Sequence, residues 1–276
     1  MAQLVEHHLA KVRVAGSNPV VRSIRFFSRA CSRSIGVLLL ATLSACGGGV
    51  RHDAVVAAAS DTRDAFQDVA ALVKKTDGVD IGFVFGSSGL LREQVLNGAP
   101  YDVYVSANAA YVDEVIVAGF ATASSRQSFA VGRLALITAT GVAPPTDLRE
   151  LRNQSSYSRI VIANPAHAPY GVAARETLQS LGIYDQVAGR LVLADNVADA
   201  VRLVRAGEVD AGLVALALVV RDKHLVVAAD LHQPIRQTLV ITSRAGDNDA
   251  AQLFVAALHS PGGRAILVRY GFTVDS

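Results

Sequence analysis

The chain alternates short apolar runs with amphipathic stretches from about Ala54 to its carboxyl end. Each apolar run has the length of a buried strand, and each amphipathic stretch repeats its apolar positions every three or four residues, as a helix does. We predict strands at 55–59, 79–85, 102–106, 159–163, 190–193, 211–217 and 225–228, and helices at 63–75, 89–97, 109–118, 172–181, 198–206, 248–258 and 264–269. Strands that alternate with helices predict an α/β fold with largely parallel sheets and helices on their faces.

Two longer apolar runs, at 129–138 and 235–242, flank the middle of the chain. The middle segment repeats the strand–loop–helix pattern of the first segment, so it should form a lobe of its own. We therefore predict two α/β lobes joined by two crossing strands, with lobe 1 at 54–130 plus 240–276 and lobe 2 at 131–239. A cleft would lie between the lobes, and the two long runs would serve as its hinge.

Serines stand at two of the predicted strand–helix junctions in the first lobe. Ser60 follows the strand at 55–59, and Ser88 lies in the turn Gly86-Ser87-Ser88-Gly89 between a strand and the next helix. In parallel sheets ligands bind beyond the carboxyl ends of the strands, where helix starts present free N–H groups to an anion. A serine at such a position is also the ordinary N-cap of a helix. The two serines together indicate a site for a small anion, whereas one serine alone would not.

Composition and charge narrow the function classes. The 276 residues carry a net charge of +2, but from Cys46 onward there are 20 Lys and Arg against 23 Asp and Glu, a net charge of −3. A slightly acidic body lacks the basic surface that nucleic-acid binding requires. Both cysteines, Cys31 and Cys46, precede the body, and no Cys/His cluster has the spacing of a metal site. We therefore expect no disulfide, no bound metal cation and no cofactor, and we interpret the histidines, among them His167, as surface or loop residues.

The segment before the body has the pattern of an export signal. Residues 22–45 combine arginines with a short apolar run and end in Leu43-Ser44-Ala45 before Cys46, and three glycines follow. This pattern is similar to a bacterial lipoprotein signal, which implies a lipid on Cys46 and a flexible tether at 46–53. The alternative is an ordinary secretory signal with an incidental cysteine. Residues 1–21 fit neither pattern and are interpreted as a spurious or non-structural extension.

Five stretches of the body together resemble one known family. They are AAASDTRDAFQDVA (57–70), FGSSGLLREQVLNGAPYDVYVSA (85–107), ANPAHAPYGVAARETLQSLG (163–182), ADNVADAVRLVRAGEVDAGLV (194–214) and PGGRAILVRYGF (261–272). They resemble the periplasmic molybdate-binding proteins of ABC importers, and the resemblance covers essentially the whole body. It implies a type II periplasmic-binding-protein fold that holds molybdate or tungstate between its lobes with neutral donors.

The resemblance also implies which residues hold the oxyanion. Ser60 and Ser88 would each donate a hydroxyl and a backbone N–H, and Tyr170 and Val197 would each donate a backbone N–H. The family's fifth partner, a tyrosine hydroxyl, is missing because its position is Ala215 here. A hydrogen bond to a charged ligand contributes about 1.5–3 kcal/mol, so this loss would weaken binding roughly ten- to hundredfold. The Tyr170 hydroxyl is one candidate replacement, and the alternative is that its ring packs on the loop surface.

In biological terms, the resemblance implies a monomeric extracytoplasmic binding protein. It would be anchored to a membrane through lipidated Cys46 and would deliver its oxyanion to a permease and an ATPase. One alternative keeps the fold but binds a different oxyanion or small ligand in a non-transport role, as Ala215 suggests. Another is the ligand-sensing domain of a regulator, against which the export signal argues. An enzyme is disfavoured because Ser60 has only Asp61 beside it and no positioned base.

Overall fold

The computed structural model describes residues 52–274, and these residues lie within a single compact unit of the chain. The predicted export signal, Cys46 and all but the last two residues of the predicted tether lie outside them. Among the helices of this described body, none combines the length and the apolar character that crossing a membrane requires.

Ten strands and eight α-helices alternate along residues 52–274. The strands are β1 (Ala54–Ala59), β2 (Ile81–Gly86), β3 (Val103–Ser106), β4 (Gln127–Gly132), β5 (Leu134–Thr138), β6 (Ile160–Ala163), β7 (Leu191–Ala194), β8 (Ala211–Ala215), β9 (Leu225–Val226) and β10 (Ile235–Ile241). The helices are α1 (Arg63–Asp77), α2 (Ser88–Leu96), α3 (Ala109–Val117), α4 (Pro169–Ser180), α5 (Tyr184–Val187), α6 (Val197–Arg205), α7 (Asp249–His259) and α8 (Pro261–Arg269). Every predicted helix has a counterpart here, and α5 is an addition that the apolar pattern did not indicate.

Helix α1 illustrates how the sequence determines these elements. Phe66, Val69 and Val73 recur at helical spacing and are buried, so one face of the helix packs on the first sheet. Gly78 then ends the helix in the left-handed conformation, with φ of 74°, and its N–H donates to the Lys74 carbonyl. A glycine takes this conformation without the steric penalty of a side chain.

The strands form two five-stranded mixed sheets, one in each lobe. The first has the order β2-β1-β3-β10-β4 and the second the order β7-β6-β8-β5-β9. In each sheet the first three strands run parallel, whereas the last two run antiparallel to their neighbours. The prediction of two α/β lobes is confirmed, and the parallel part of each sheet is the part whose carboxyl ends carry the predicted junctions.

The chain crosses between the sheets at two places, of which one was predicted. The run at 129–138 divides at Arg133 into β4 of the first sheet and β5 of the second, so this crossing is confirmed. The prediction that 235–242 also crosses is wrong, because all of β10 lies in the first sheet, between β3 and β4. The second crossing is the connection at 227–234. The first sheet therefore contains strands up to residue 132 and one further strand that begins at residue 235. Apolar character alone does not tell which sheet a strand joins.

Two boundaries around the predicted site also differ from the sequence-based ones. Helix α4 begins at Pro169 rather than at residue 172, because proline's fixed φ and missing N–H suit the first helical position. Strand β8 ends at Ala215, and a 3-10 turn, Leu216–Leu218, replaces the predicted end of that strand.

Each lobe has its own apolar core, and the turn Leu216–Leu218 belongs to both. In lobe 1 the ring of Phe66 meets that of Phe254 edge to face, with centroids 5.3 Å apart. Leu216 and Leu218 are part of the core of lobe 2, whereas Ala217 packs in the core of lobe 1. The lobes are therefore joined by apolar contact as well as by the two chain crossings.

Candidate functional site

The register of the first sheet places the two predicted serines side by side. In the parallel pair β1–β2, Ala59 lies opposite Gly86, so Ser60 and the Ser87-Ser88 turn leave the sheet at the same edge. Ser60 and Ser88 are 2 % and 1 % exposed. Each begins a helical segment, Ser60 the 3-10 turn that leads into α1 and Ser88 the helix α2.

The hydroxyl groups of Ser60 and Ser88 each have a proton with no acceptor in the described part of the chain. Ser60 Oγ accepts from the backbone N–H of Ala198 at 3.3 Å, and Ser88 Oγ accepts from that of Ala107 at 3.1 Å. The neighbouring Ser87 differs, because its hydroxyl donates to the His167 carbonyl at 2.6 Å. Only the first two hydroxyls therefore keep a hydrogen to offer to a ligand.

Lobe 2 brings two helix starts to the same region. Strands β6 and β7 are parallel and in register, with Ala163 opposite Ala194, so the loops that follow them run together into α4 and α6. The Asn196 side chain caps α6 by accepting from the N–H groups of Ala198 and Asp199, both at 3.0 Å.

The backbone N–H groups at the four predicted positions are available as donors. Among the hydrogen bonds of residues 52–274, none has the N–H of Ser60, Ser88, Tyr170 or Val197 as its donor. The first turn of a helix leaves such groups without an intrahelical partner, and its dipole favours negative charge there. Two hydroxyls and four N–H groups are thus present in a region that joins both lobes.

The lobes touch directly at this region. His167 accepts at its carbonyl from Gly89 N at 2.9 Å, and its ring Nδ1 lies 2.8 Å from Ser87 Oγ. The interpretation of His167 as an isolated loop histidine is therefore incomplete. A Cβ on Gly89 would lie 2.8 Å from the His167 carbonyl oxygen, so this glycine is what allows the lobes to approach so closely.

Tyr170 points into the molecule rather than over its surface. The residue is 2 % exposed, and its ring belongs to the core of lobe 2. Its hydroxyl packs against Gly132, at the end of β4, where an added methyl group would collide with it. The alternative that the ring packs on the loop surface is therefore wrong, and the phenol reaches the junction of the lobes.

Asp61, directly after Ser60, is a buried acid that sequence reasoning noted without assigning it a role. It is 1 % exposed, and its Oδ2 accepts from Gln237 Nε2 at 2.7 Å. Burial raises the pKa of Asp61 to about 7, against smaller opposite effects of the Tyr170 hydroxyl and the Gln237 amide. Burial is also the main reason why the pKa of Tyr170 is raised. A polar pair in a buried turn after an apolar strand, Asp61-Thr62, was the signal that could have identified it.

Ala215 lies where a tyrosine was expected from the resemblance. It is the last residue of β8, pairs with Leu134 and is fully buried in the core of lobe 2. The methyl side chain offers no hydrogen bond. Two other tyrosine hydroxyls lie in this region: that of Tyr104 donates to the Ser88 carbonyl at 2.8 Å, whereas that of Tyr170 has no hydrogen-bond partner among the described residues.

Two other kinds of candidate site, a metal-binding cluster and a large cavity, do not involve the predicted site residues. Among the described residues, no group of three or more His, Cys, Asp or Glu side chains could hold a metal ion. A surface cavity of about 910 Å³ lies on lobe 2, lined among others by Asp147, Tyr157 and Asp210, and includes none of the predicted site residues. Its side chains bond within the lobe, as in the pair Ser158 Oγ to Asp210 Oδ2 at 2.8 Å.

Two mixed α/β lobes, two chain crossings and donors from both lobes define the class of two-lobed solute-binding proteins, which hold a ligand between their lobes. Comparison with known families agrees, because the model of the bacterial extracellular solute-binding proteins matches residues 54–273. The chain belongs to this family.

Individual relatives extend the comparison. The molybdate-binding protein ModA of Azotobacter vinelandii is 33% identical over 242 residues, which cover 86% of this chain and 95% of the relative. ModA of Escherichia coli is 31% identical over 229 residues, or 79% of this chain and 88% of the relative. The solved structure of the Azotobacter vinelandii periplasmic molybdate-binding protein superposes with a TM-score of 0.76 at 29% identity, over 81% of this chain and all of that one. The predicted resemblance to the molybdate-binding proteins is confirmed.

Proposed function

We propose that this protein captures a tetrahedral oxyanion, molybdate or tungstate, in the cleft between its lobes and delivers it to an ABC importer. The observation that carries the proposal is the pair of buried serine hydroxyls, Ser60 and Ser88, whose protons have no acceptor within residues 52–274. Relatives named as molybdate-binding proteins that match most of the chain support the choice of ligand.

The donors would act on the oxygens of the anion and not on its metal atom. Ser60 and Ser88 would each give a hydroxyl and a backbone N–H, and Tyr170 and Val197 would each give a backbone N–H. Helix starts suit this task because they supply partial positive charge without a buried cation. A dianion in a dry cleft needs several such donors, since each unsatisfied charge there is costly.

The Tyr170 hydroxyl is proposed as the replacement for the donor missing at Ala215. Its position at the lobe junction supports this role, as does its lack of a hydrogen bond to any group in the described residues. The Asp61 carboxyl that faces this phenol is one acceptor for its proton, and an oxyanion oxygen in the cleft would be another.

A second candidate function keeps the cleft but changes the ligand. The acidic Asp61 beside Ser60 and the absent hydroxyl at Ala215 both favour an oxyanion other than molybdate or tungstate, or another small ligand outside transport. A fully ionised oxyanion is only repelled by an ionised carboxylate nearby, whereas an oxyanion that carries a proton can donate a hydrogen bond to that carboxylate.

The cellular setting belongs to the same proposal. The protein would act outside the cytoplasm as a monomer without a cofactor, held at a membrane by a lipid on Cys46. It would pass the oxyanion to a permease and an ATPase. Labelling with a radioactive fatty acid should mark the wild-type protein and not Cys46→Ser, and equal labelling of both would refute the anchor.

The experiment that tests the ligand is calorimetric titration of the purified protein with molybdate, tungstate and sulfate. We expect tight binding of molybdate and tungstate and weak or no binding of sulfate, because a rigid ring of donors fits one anion radius best. Binding of sulfate or phosphate in preference would support the second candidate. No binding of any oxyanion would refute the transport proposal and leave the second candidate with a small ligand that is not an oxyanion.

A further inference from the structure

A buried polar cluster joins the two lobes beside the proposed oxyanion site. It consists of Asp61 from lobe 1, Gln237 from strand β10, and Tyr170 from helix α4 of lobe 2. One hydrogen bond, Gln237 Nε2 to Asp61 Oδ2 at 2.7 Å, lies within it. Each residue also has one buried atom without a hydrogen bond among the described residues: Asp61 Oδ1, Tyr170 Oη and Gln237 Oε1.

Such a cluster is unbalanced when Asp61 is ionised. Carboxylate and amide oxygens are acceptors only, so Asp61 Oδ1 and Gln237 Oε1 cannot satisfy each other. The one free donor of the cluster, the Tyr170 hydroxyl, satisfies one of them at most, and neither when it donates to the oxyanion. A proton on the Asp61 carboxyl would turn one of these acceptors into a donor and remove an isolated buried charge.

The elements packed against Asp61 supply no compensating positive charge. Tyr170 of α4 is the titratable group that faces the carboxyl, and Gln237 of β10 is neutral. Arg63, at the start of α1, stacks over the Phe85 ring at 5.5 Å, and the turn Leu216–Leu218 is apolar.

Helix α6, which also packs near Ser60, adds no free charge at this point. Its first-turn acid, Asp199, accepts from Arg202 Nε at 2.8 Å, and the Arg202 side chain is 59 % exposed. This pair is therefore directed to solvent, and the oxyanion itself would add only negative charge beside Asp61.

We propose that closure of the lobes on the oxyanion takes up one proton, which Asp61 holds in the closed form. This inference rests on the proposed function and makes Asp61 a residue that tunes affinity rather than a direct ligand. The carboxylate accepts the proton from solvent when Tyr170 and the start of α6 cover it, and returns it to solvent when the lobes separate.

The direction in which pH changes the oxyanion affinity follows from the pKa of Asp61 in the open and in the closed protein. In the structure, where Tyr170 and the start of α6 cover Asp61, its pKa is about 7. With the lobes apart and these groups withdrawn, the proposal requires the pKa to fall toward the ordinary value of 3.8. Below both values the acid is neutral in either form, so pH has no effect. Between them closure consumes a proton, and affinity should fall by up to about tenfold for each unit that the pH rises. Above the closed-form value the acid is ionised in both forms and affinity stays low.

The test is calorimetric titration with molybdate at pH 6 in several buffers that differ in their own ionisation enthalpy. The dependence of the observed heat on that enthalpy gives the number of protons taken up. We expect close to one proton per molybdate for the wild type and close to none for Asp61→Asn, which can still accept from Gln237. From pH 6 to pH 7 the wild-type Kd should rise by about fivefold, because half of the closed-form carboxyls are ionised at pH 7, whereas the Asp61→Asn value should stay level.

Asp64→Asn is the matched control, because it removes the same charge from helix α1 at a partly exposed position away from this cluster. It should take up the same proton as the wild type. Two results would overturn this inference and leave the proposed function intact. One is tight wild-type binding of molybdate without proton uptake, and the other is the same proton uptake in Asp61→Asn as in the wild type. Failure of the wild type to bind any oxyanion would overturn the proposed function, and this inference with it.

Discussion

Removal of the Ser60 hydroxyl is the sharpest test of the site, because it deletes a ligand donor with little damage to the fold. In Ser60→Ala the N–H of Ala198 loses one acceptor at 3.3 Å but keeps the Asn196 side chain at 3.0 Å. No buried donor is left without a partner, so the unfolding midpoint of the ligand-free protein should change little.

The expected loss of affinity follows from the charge of the ligand. A hydrogen bond to a charged group contributes about 1.5–3 kcal/mol, so the molybdate Kd should rise roughly ten- to hundredfold. At a molybdate concentration far above both Kd values, ligand stabilisation should fall by the same 1.5–3 kcal/mol. For a body of this size that corresponds to a ligand-induced rise in Tm that is smaller by about 3–12 °C.

The assay is titration calorimetry for Kd together with thermal unfolding with and without molybdate. Ser106→Ala is the matched control: Ser106 is another buried serine at the end of a strand in the same sheet, but its hydroxyl donates to the Asn108 carbonyl at 2.8 Å. It should alter stability and leave the molybdate Kd nearly unchanged. An unchanged Kd in Ser60→Ala, or equal changes in both variants, would refute the assignment of Ser60 as a donor.

Two further variants test the contact between the lobes. Tyr170→Phe should weaken molybdate binding about tenfold if the phenol replaces the missing donor, and calorimetry that finds no change would reject that role. The same variant should move the pH dependence of binding upward, because the Tyr170 hydroxyl lowers the pKa of Asp61. Gly89→Ala should weaken molybdate binding, because the added Cβ would lie 2.8 Å from the His167 carbonyl oxygen and keep the lobes apart. Small-angle scattering should then show less compaction on adding molybdate. Gly98→Ala is the control: its Cβ has open space but its φ of 79° is strained, so it should lower stability and leave binding unchanged.

The position of Ser60 and Ser88 at strand–helix junctions could be predicted from the sequence because it depends on local patterns. Ser60 and Ser88 follow apolar runs and precede helical ones, whereas Tyr170 and Val197 were named only by the resemblance to a known family. Each of the two serine signals depends on a few neighbouring residues. The parallel arrangement of the strands then brings their carboxyl ends together without any long-range information.

What could not be predicted depends on contacts between distant residues. Ser87 and Ser88 are equivalent in sequence, and only the closeness of His167 shows that the Ser87 hydroxyl is already used. The burial of Asp61 depends in the same way on Gln237, 176 positions further along the chain. Strand β10 was assigned to a crossing because its apolar pattern is the same whether both of its neighbours lie in one sheet or in two.

The apolar turn Leu216–Leu218 has a consequence for the rate at which the protein exchanges its ligand. Because this turn packs in the cores of both lobes, separating them exposes apolar surface whether or not an oxyanion is bound. The ligand-free protein should therefore spend more of its time closed than a relative with polar residues there. The apparent affinity then lies nearer the intrinsic one, since less of the binding free energy is used to close the lobes. Because the lobes open less often, the oxyanion both enters and leaves the cleft more slowly. The protein should therefore hold its ligand longer and exchange it less rapidly.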